Sequence, residues 1–310
     1  MRRVVFLTIG LLTLLVSCNQ TGTKQQGVKK KTVQKVDTTL LRVAVTPTLD
    51  CLPLFVANDR GMFDAEGVKV RLVRYQAQMD QDTAIERGRV DGLTTDLVRA
   101  ERLQQESGIG LEYTLGTEAQ WQMVTNKMAR IKQVGHLKDK MIAMSRFSAT
   151  DLLADMVIDM AMLDSNSVFK IQVNDVDIRL GMLQNGIMDA LLLPEPQATV
   201  ARMAGAPVLF EPTDIRLGVL AFSKDAVKGP YRQGLVQALV TAYDRACDSI
   251  NEHGVKSYRD VIMKYCKVRK QVVDSLPKEL HYEHAQPPRA TDIQRAKSWI
   301  DKQNNKQTVR

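Results

Sequence analysis

The side chains best suited to chemistry are small hydroxyls and carboxylates gathered in two polar loops. Thr48 and Asp50 lie in Thr46–Asp50, and Ser145, Ser148 and Thr150 lie in Ser145–Asp151. Such groups donate and accept hydrogen bonds, and without a base beside a nucleophile they suit ligand binding better than bond breaking. Cys51 adjoins Asp50 with no histidine near it in sequence, so a buried thiol and a nucleophile both stay open. GxGxxG, the P-loop, HExxH and GxSxG are all missing. His281 and His284 are bracketed by Pro277 and Pro287-Pro288, which reads as exposed loop, and no two of the four cysteines form CxxC. No metal and no cofactor are expected. Cys247 and Cys266 are either bonded or two free thiols, and their spacing leaves both open.

Each polar loop joins a strand to a helix. Leu41–Val45 and Lys140–Met144 read as strands, and Leu152–Met162 as a helix with Leu152, Leu153, Met156, Val157 and Met160 on one buried face. Ala84–Leu93 parallels Met182–Leu191. Both show a helix end, a glycine (Gly88, Gly186) suited to the left-handed C′ position, and a strand entered through Asp91 or Asp189. The strand–loop units recur at nearly the same offset, which predicts two similar α/β lobes. Facing lobes bring the carboxyl edges of two sheets, with their helix N-termini, to one cleft. Helix capping is the alternative role of the loop hydroxyls.

Charge excludes one broad class. The formal net charge is +8, but Met1–Asp37 holds seven Lys/Arg against one acid, and two more basic residues follow Lys302. Thr38–Lys302 therefore carries 34 basic and 34 acidic residues. A nucleic-acid-binding domain keeps its basic surplus on the folded surface, so no nucleic-acid partner is expected.

Arg2-Arg3 followed by the short apolar run Val4–Val16 reads as a secretory signal. Its end, Leu15-Val16-Ser17-Cys18, resembles a bacterial lipobox, with Cys18 as the residue that takes acyl chains such as palmitate. Residues 1–18 are thus read as a lipoprotein signal peptide, and residues 19–39 as a flexible tether too polar to order itself.

Leu52-Pro-Leu-Phe-Val-Ala57, Gly61-Met-Phe63, Gly67-Val-Lys-Val70, Gly88-Arg-Val-Asp91 and Thr94-Thr-Asp96, in that order, resemble the substrate-binding proteins of ABC transporters. The similar branch is the sulfonate/nitrate/taurine and thiamine-pyrimidine (NMT1-like) one. Leu137-Lys-Asp-Lys140 and Leu193-Pro-Glu195-Pro196 extend the resemblance, which runs from about Leu40 to Phe222. It implies an α/β, type II periplasmic-binding-protein fold: two lobes joined by a two-crossing hinge, lobe one at 40–117 plus 214–310 and lobe two at 118–213. It implies ligand contacts from Thr48, Leu49, Asp50, Thr94 and Thr95 in lobe one and Trp121 at the hinge. From lobe two it implies Ser145, Ser148, Ala149, Thr150 and Glu195.

Phe147-Ser148 replaces the family's common Gly-Ser, which implies an altered cleft shape. Asp50, Asp151 and Glu195 bring acids near the cleft. Either Arg146 or Arg216 balances them for an oxyanion, or the acids select an amino-bearing heterocycle. Trp121 either stacks on a flat ligand or plugs the seam between lobes. The implied function is non-enzymatic. A monomer on the extracytoplasmic face, lipid-anchored at the membrane, captures a small organic anion such as a sulfonate, or a thiamine-precursor-like pyrimidine. It hands this ligand to an ABC permease and its ATPase. The alternatives are a cofactor-biosynthesis enzyme on the same fold and a ligand-sensing module for a membrane receptor.

Overall fold

In the computed structural model, residues 38–308 are described; the signal segment, Cys18 and the tether up to residue 37 lie outside the described residues. Among the described residues ten strands form two sheets. The first contains β1 (Leu40–Val45), β2 (Lys69–Arg74), β3 (Gly92–Asp96), β4 (Leu111–Gly116) and β10 (Gly218–Ser223), in the order β2-β1-β3-β10-β4. The second contains β5 (Trp121–Thr125), β6 (Met141–Met144), β7 (Phe169–Gln172), β8 (Ala190–Pro194) and β9 (Val208–Phe210), in the order β7-β6-β8-β5-β9. Three parallel strands in each sheet adjoin one antiparallel strand, β10 or β5, that arrives straight from the other sheet. The central strands β3, β5 and β8 are buried along their whole length, as strands covered on both faces must be.

Helices α1 (Leu52–Asp59), α2 (Met62–Ala65), α3 (Gln78–Glu86) and α4 (Leu97–Ser107) follow the first strands. Helices α5 (Ala149–Met160), α6 (Val176–Gln184) and α7 (Gln197–Met203) do the same in the second half, and α8 (Pro230–His253), α9 (Arg259–Cys266), α10 (Lys270–Asp274) and α11 (Ala290–Thr308) follow. The repeat predicted from sequence is present down to its hydrogen bonds. Gly88 and Gly186 take φ of 61° and 70°, just past the ends of α3 and α6. Asp91 accepts from the Arg42 N–H at 2.8 Å, and Asp189 accepts from the Met141 N–H at 2.9 Å. Each aspartate satisfies a backbone donor of the neighbouring strand, the third residue of β1 and the first of β6.

The two crossings touch. Gly218 opens β10 against the outgoing segment, where the Thr117 N–H donates to the Gly218 carbonyl at 3.0 Å. A Cβ there would stand 2.2 Å from Thr117 Oγ1 and 2.5 Å from the Ala119 Cβ, so only glycine fits. Cys247 and Cys266 are separate free thiols, so the disulfide alternative is not realised; each is buried in the core that packs α1 and α8 onto the first sheet. Among the described residues no helix is long and apolar enough to cross a membrane.

Candidate ligand-binding cleft

The carboxyl ends of the parallel strands from both sheets converge on a polar cleft of about 50 Å³. Thr46, Thr48 and Asp50 follow β1, Gln76 and Gln78 follow β2, and Thr94 and Thr95 belong to β3. Ala119 and Trp121 come from the first crossing. From the other side come Thr150 at the start of α5, Asn174, Val176 and Arg179 after β7, and Pro194 at the end of β8. This is where open α/β sheets present free N–H groups and bind ligands. A larger, more apolar groove of about 640 Å³ between α6, α7 and α10 gathers fewer polar groups. Hydrogen bonds cross between the lobes around the cleft. The Leu49 N–H donates to the Glu195 carbonyl at 2.9 Å, and Gln197 Nε2 to the Pro47 carbonyl at 3.3 Å.

Two charges face this cleft from opposite lobes. Arg179 lies in the first turn of α6, which Asp175 caps by accepting from the Asp177 and Ile178 N–H groups at 2.8 and 3.0 Å. Its side chain is 5% exposed, its Nη1 reaches Ser145 Oγ at 3.4 Å, and its Nε has no partner. Burial pulls the guanidinium down to about 10, with Asp175 as the opposing charge. Asp50, on the other lobe, accepts from Thr117 Oγ1 at 3.3 Å. Burial raises its pKa, and hydrogen bonds from Thr48 and Thr117 hold the rise back. Thr95 Oγ1 is buried in the cleft wall without a partner. Arg179 is thus a buried cation with one unpaired donor, and the wall of the same cleft holds one unpaired buried hydroxyl.

Asp96 is fully buried at the end of β3, next to the cleft-lining Thr95. It caps α4 through the Arg99 N–H at 3.0 Å and accepts from Gln78 Nε2 at 3.1 Å, and burial pushes it up to about 6. The Cys51 thiol is buried, donates to Thr94 Oγ1 at 3.3 Å, and is pushed up to about 12 chiefly by burial, with the Asp50 charge adding to it. A thiol held protonated in this way is no nucleophile at neutral pH.

Of the residues singled out from sequence, Thr48, Asp50, Thr94, Thr95, Trp121 and Thr150 line the cleft. Ser145 stands behind it, against Arg179. Ser148 caps α5, its Oγ accepting from the Thr150 N–H at 3.2 Å. The Leu49 and Ala149 side chains are buried in the core clusters. Glu195 binds Arg202 at 2.7 Å and the Thr199 N–H at 3.0 Å. Asp151 is spent on Lys170, 2.6 Å away.

The cation differs from either candidate named in the sequence. Arg146 lines a separate outer cavity, and Arg216 pairs with Glu118 at 3.1 Å and Glu283 at 3.0 Å. Phe147 also lies away from the cleft, its ring 4.0 Å beneath the Arg102 guanidinium, so the expected effect of its side chain on the cleft wall is not seen. Arg179, Gln76, Gln78 and Asn174 went unnoticed in the sequence. One signal was present: Asp175-Val176-Asp177-Ile178-Arg179 opens a helix with a capping acid and then a cation, which the helix dipole disfavours.

Sheet order and cleft position together define a type II periplasmic-binding fold. Solved structures agree on the fold. The periplasmic aliphatic sulphonate binding protein SsuA from Escherichia coli is similar with a TM-score of 0.71 at 17% identity, over 87% of this chain and 93% of that one. The periplasmic nitrate-binding protein NrtA from Synechocystis PCC 6803 is similar at 0.68 and 12%, over 81% and 74%. PhnD1 from Prochlorococcus marinus, in complex with methylphosphonate, is similar at 0.60 and 11%, over 86% and 99%. The chain belongs to the NMT1/THI5-like family, whose model matches residues 48–264. No curated protein sequence matches it.

Proposed function

We propose that this protein is an extracytoplasmic solute-binding protein that traps a small organic oxyanion between its lobes and delivers it to an ABC permease and its ATPase. The observation that carries the reading is Arg179, a buried cation facing the cleft with an unpaired Nε. A sulfonate or phosphonate oxygen would supply the missing acceptor and charge. A volume near 50 Å³ holds on the order of four water-sized groups, which suits an oxyanion on a short stem. Asp50 on the opposite wall adds a preference for a ligand with an amino group, whose N–H groups would donate to its carboxyl oxygens. The sulfonate-, nitrate- and methylphosphonate-binding relatives in structure support the anion.

Thr48, Asp50, Thr94, Thr95, Trp121 and Thr150 are the proposed contacts, with Gln76, Gln78, Asn174 and Arg179 added. Lobe boundaries at 117/118 and 213/214 are part of the proposal, as are action as a monomer and a lipid anchor on Cys18. The protonated, buried Cys51 argues against thiol chemistry in the cleft and so for binding over an enzyme. The test is thermal unfolding of the full chain against sulfonates, phosphonates, nitrate and thiamine pyrimidines. A ligand at a hundred times its Kd adds about 2.7 kcal/mol and several degrees. Stabilisation by pyrimidines alone would refute the oxyanion, and turnover of the added compound would refute the binding protein.

A further inference from the structure

The last helix reaches across both lobes. Ala296 and Ile300 of α11 are buried in a cluster with Leu97 and Leu103 of α4, on the first lobe. Further along the same helix, Trp299 Nε1 and Gln303 Nε2 both donate to Asp155 Oδ2 at 3.0 Å, and Asp155 belongs to α5 on the second lobe. The Lys170 ammonium, on β7, bonds the other Asp155 oxygen and also Asp151. Asp151 in turn accepts the Phe147 N–H at 2.8 Å. Phe147 has φ of 51°, a conformation that a bulky side chain holds only when its surroundings impose it. Those surroundings are the Arg102 guanidinium at 4.0 Å on its face and the Trp299 ring at 6.2 Å and 73° on its edge. The loop so held carries Thr150, which lines the cleft, and Ser145, which backs Arg179.

We infer that α11 is a further tie between the lobes, in which Trp299 and Asp155 act as positioning residues for the loop Ser145–Thr150. The two backbone crossings set where the lobes pivot, and this side-chain clasp adds to the hydrogen bonds around the cleft, and to the one from Arg99 Nη1 to the Arg146 carbonyl at 3.4 Å, in holding them shut. Neither Trp299 nor Asp155 lines the cleft, so their effect on a ligand passes entirely through the loop. Only the loop's role in ligand contact rests on the proposed function. The clasp itself rests on contacts within the fold.

Hydrogen–deuterium exchange and small-angle scattering on the full chain without ligand test it, and so stay independent of whether the ligand class is right. Trp299→Phe keeps an aromatic ring and removes the N–H. Asp155→Asn is a second variant that keeps the volume and removes the charge Lys170 needs. Losing one such bond is worth roughly tenfold in a local opening equilibrium. The expected result, in whichever variant folds, is about tenfold faster exchange at Ser145–Thr150, near-unchanged exchange in α4, and a larger radius of gyration. Unchanged loop exchange, an unchanged radius, or acceleration spread evenly over the chain would each overturn the inference, the last by showing plain loss of stability.

Discussion

Arg179 sits in the first turn of α6, where aligned peptide dipoles repel a cation, and burial at 5% exposure repels it further. A residue kept at such a cost is the natural place for an anion to gain binding energy. Asp96 shows the same economy with opposite charge. Its folded-state pKa of about 6 stands above the ordinary aspartate value near 3.9, so the folded protein holds this proton more tightly than the unfolded chain. Stability should therefore fall as pH rises from about 4 to 6, and above that window the buried carboxylate remains a cost. Asp50, Asp82 and Glu118 are raised by burial in the same direction and add to the trend. Asp96→Asn keeps a side-chain oxygen for the Arg99 N–H and removes one titrating proton. Urea unfolding from pH 4.5 to 7 should show a flatter profile in this variant, with greater stability at pH 7; identical slopes would contradict the assignment.

At the scale of elements, the repeated unit is helix end, left-handed glycine, aspartate, strand. Gly88→Ala should cost about 1 kcal/mol because φ of 61° penalises a Cβ, and Gly88→Asn should recover part of it. Gly218→Ala should cost about 3 kcal/mol, since its Cβ would drive into Thr117 and Ala119 at the hinge. Chemical denaturation that ranks the two in the opposite order would show that the crossings are loosely packed around Gly218. These elements were legible in the sequence because the rules behind them are local: a glycine after a helix, an aspartate before a strand, an apolar period. The fold class was readable from their order. The loops after β2 and β7 were not, because both are half-exposed strands whose charged, weakly patterned sequences mark no site. Gln76 and Asn174 lie in those loops, and Gln78 and Arg179 in the first turns of α3 and α6 that follow them. The Trp299–Asp155 contact spans 144 residues and leaves no local signature at all.

For the molecule as a whole, the cleft lies between lobes that already touch through Leu49 and Glu195 and through Pro47 and Gln197. A ligand that bridges Asp50 and Arg179 would add charge-assisted bonds to both sides of that contact and favour the shut form. Thr38–Lys302 balances its charges, so long-range steering of an anion by net charge is weak, and selectivity is left to the cleft itself. The proposed anchor is separable from this. Cys18→Ser should move the protein from the membrane fraction to the soluble fraction of an extracytoplasmic extract without altering ligand affinity. Retention on the membrane would show that another feature holds it there.

The central claim is that Arg179 holds a small oxyanion, and titration calorimetry of the full chain and of Arg179→Gln tests it most directly. The probes are ethanesulfonate, 2-aminoethanesulfonate and methylphosphonate. Charged hydrogen bonds of this kind are worth about 1.5–3 kcal/mol, so the variant should bind the best probe at least tenfold more weakly while unfolding at a similar temperature. Equal affinity in the two proteins, or no binding of any oxyanion by either, would contradict the account.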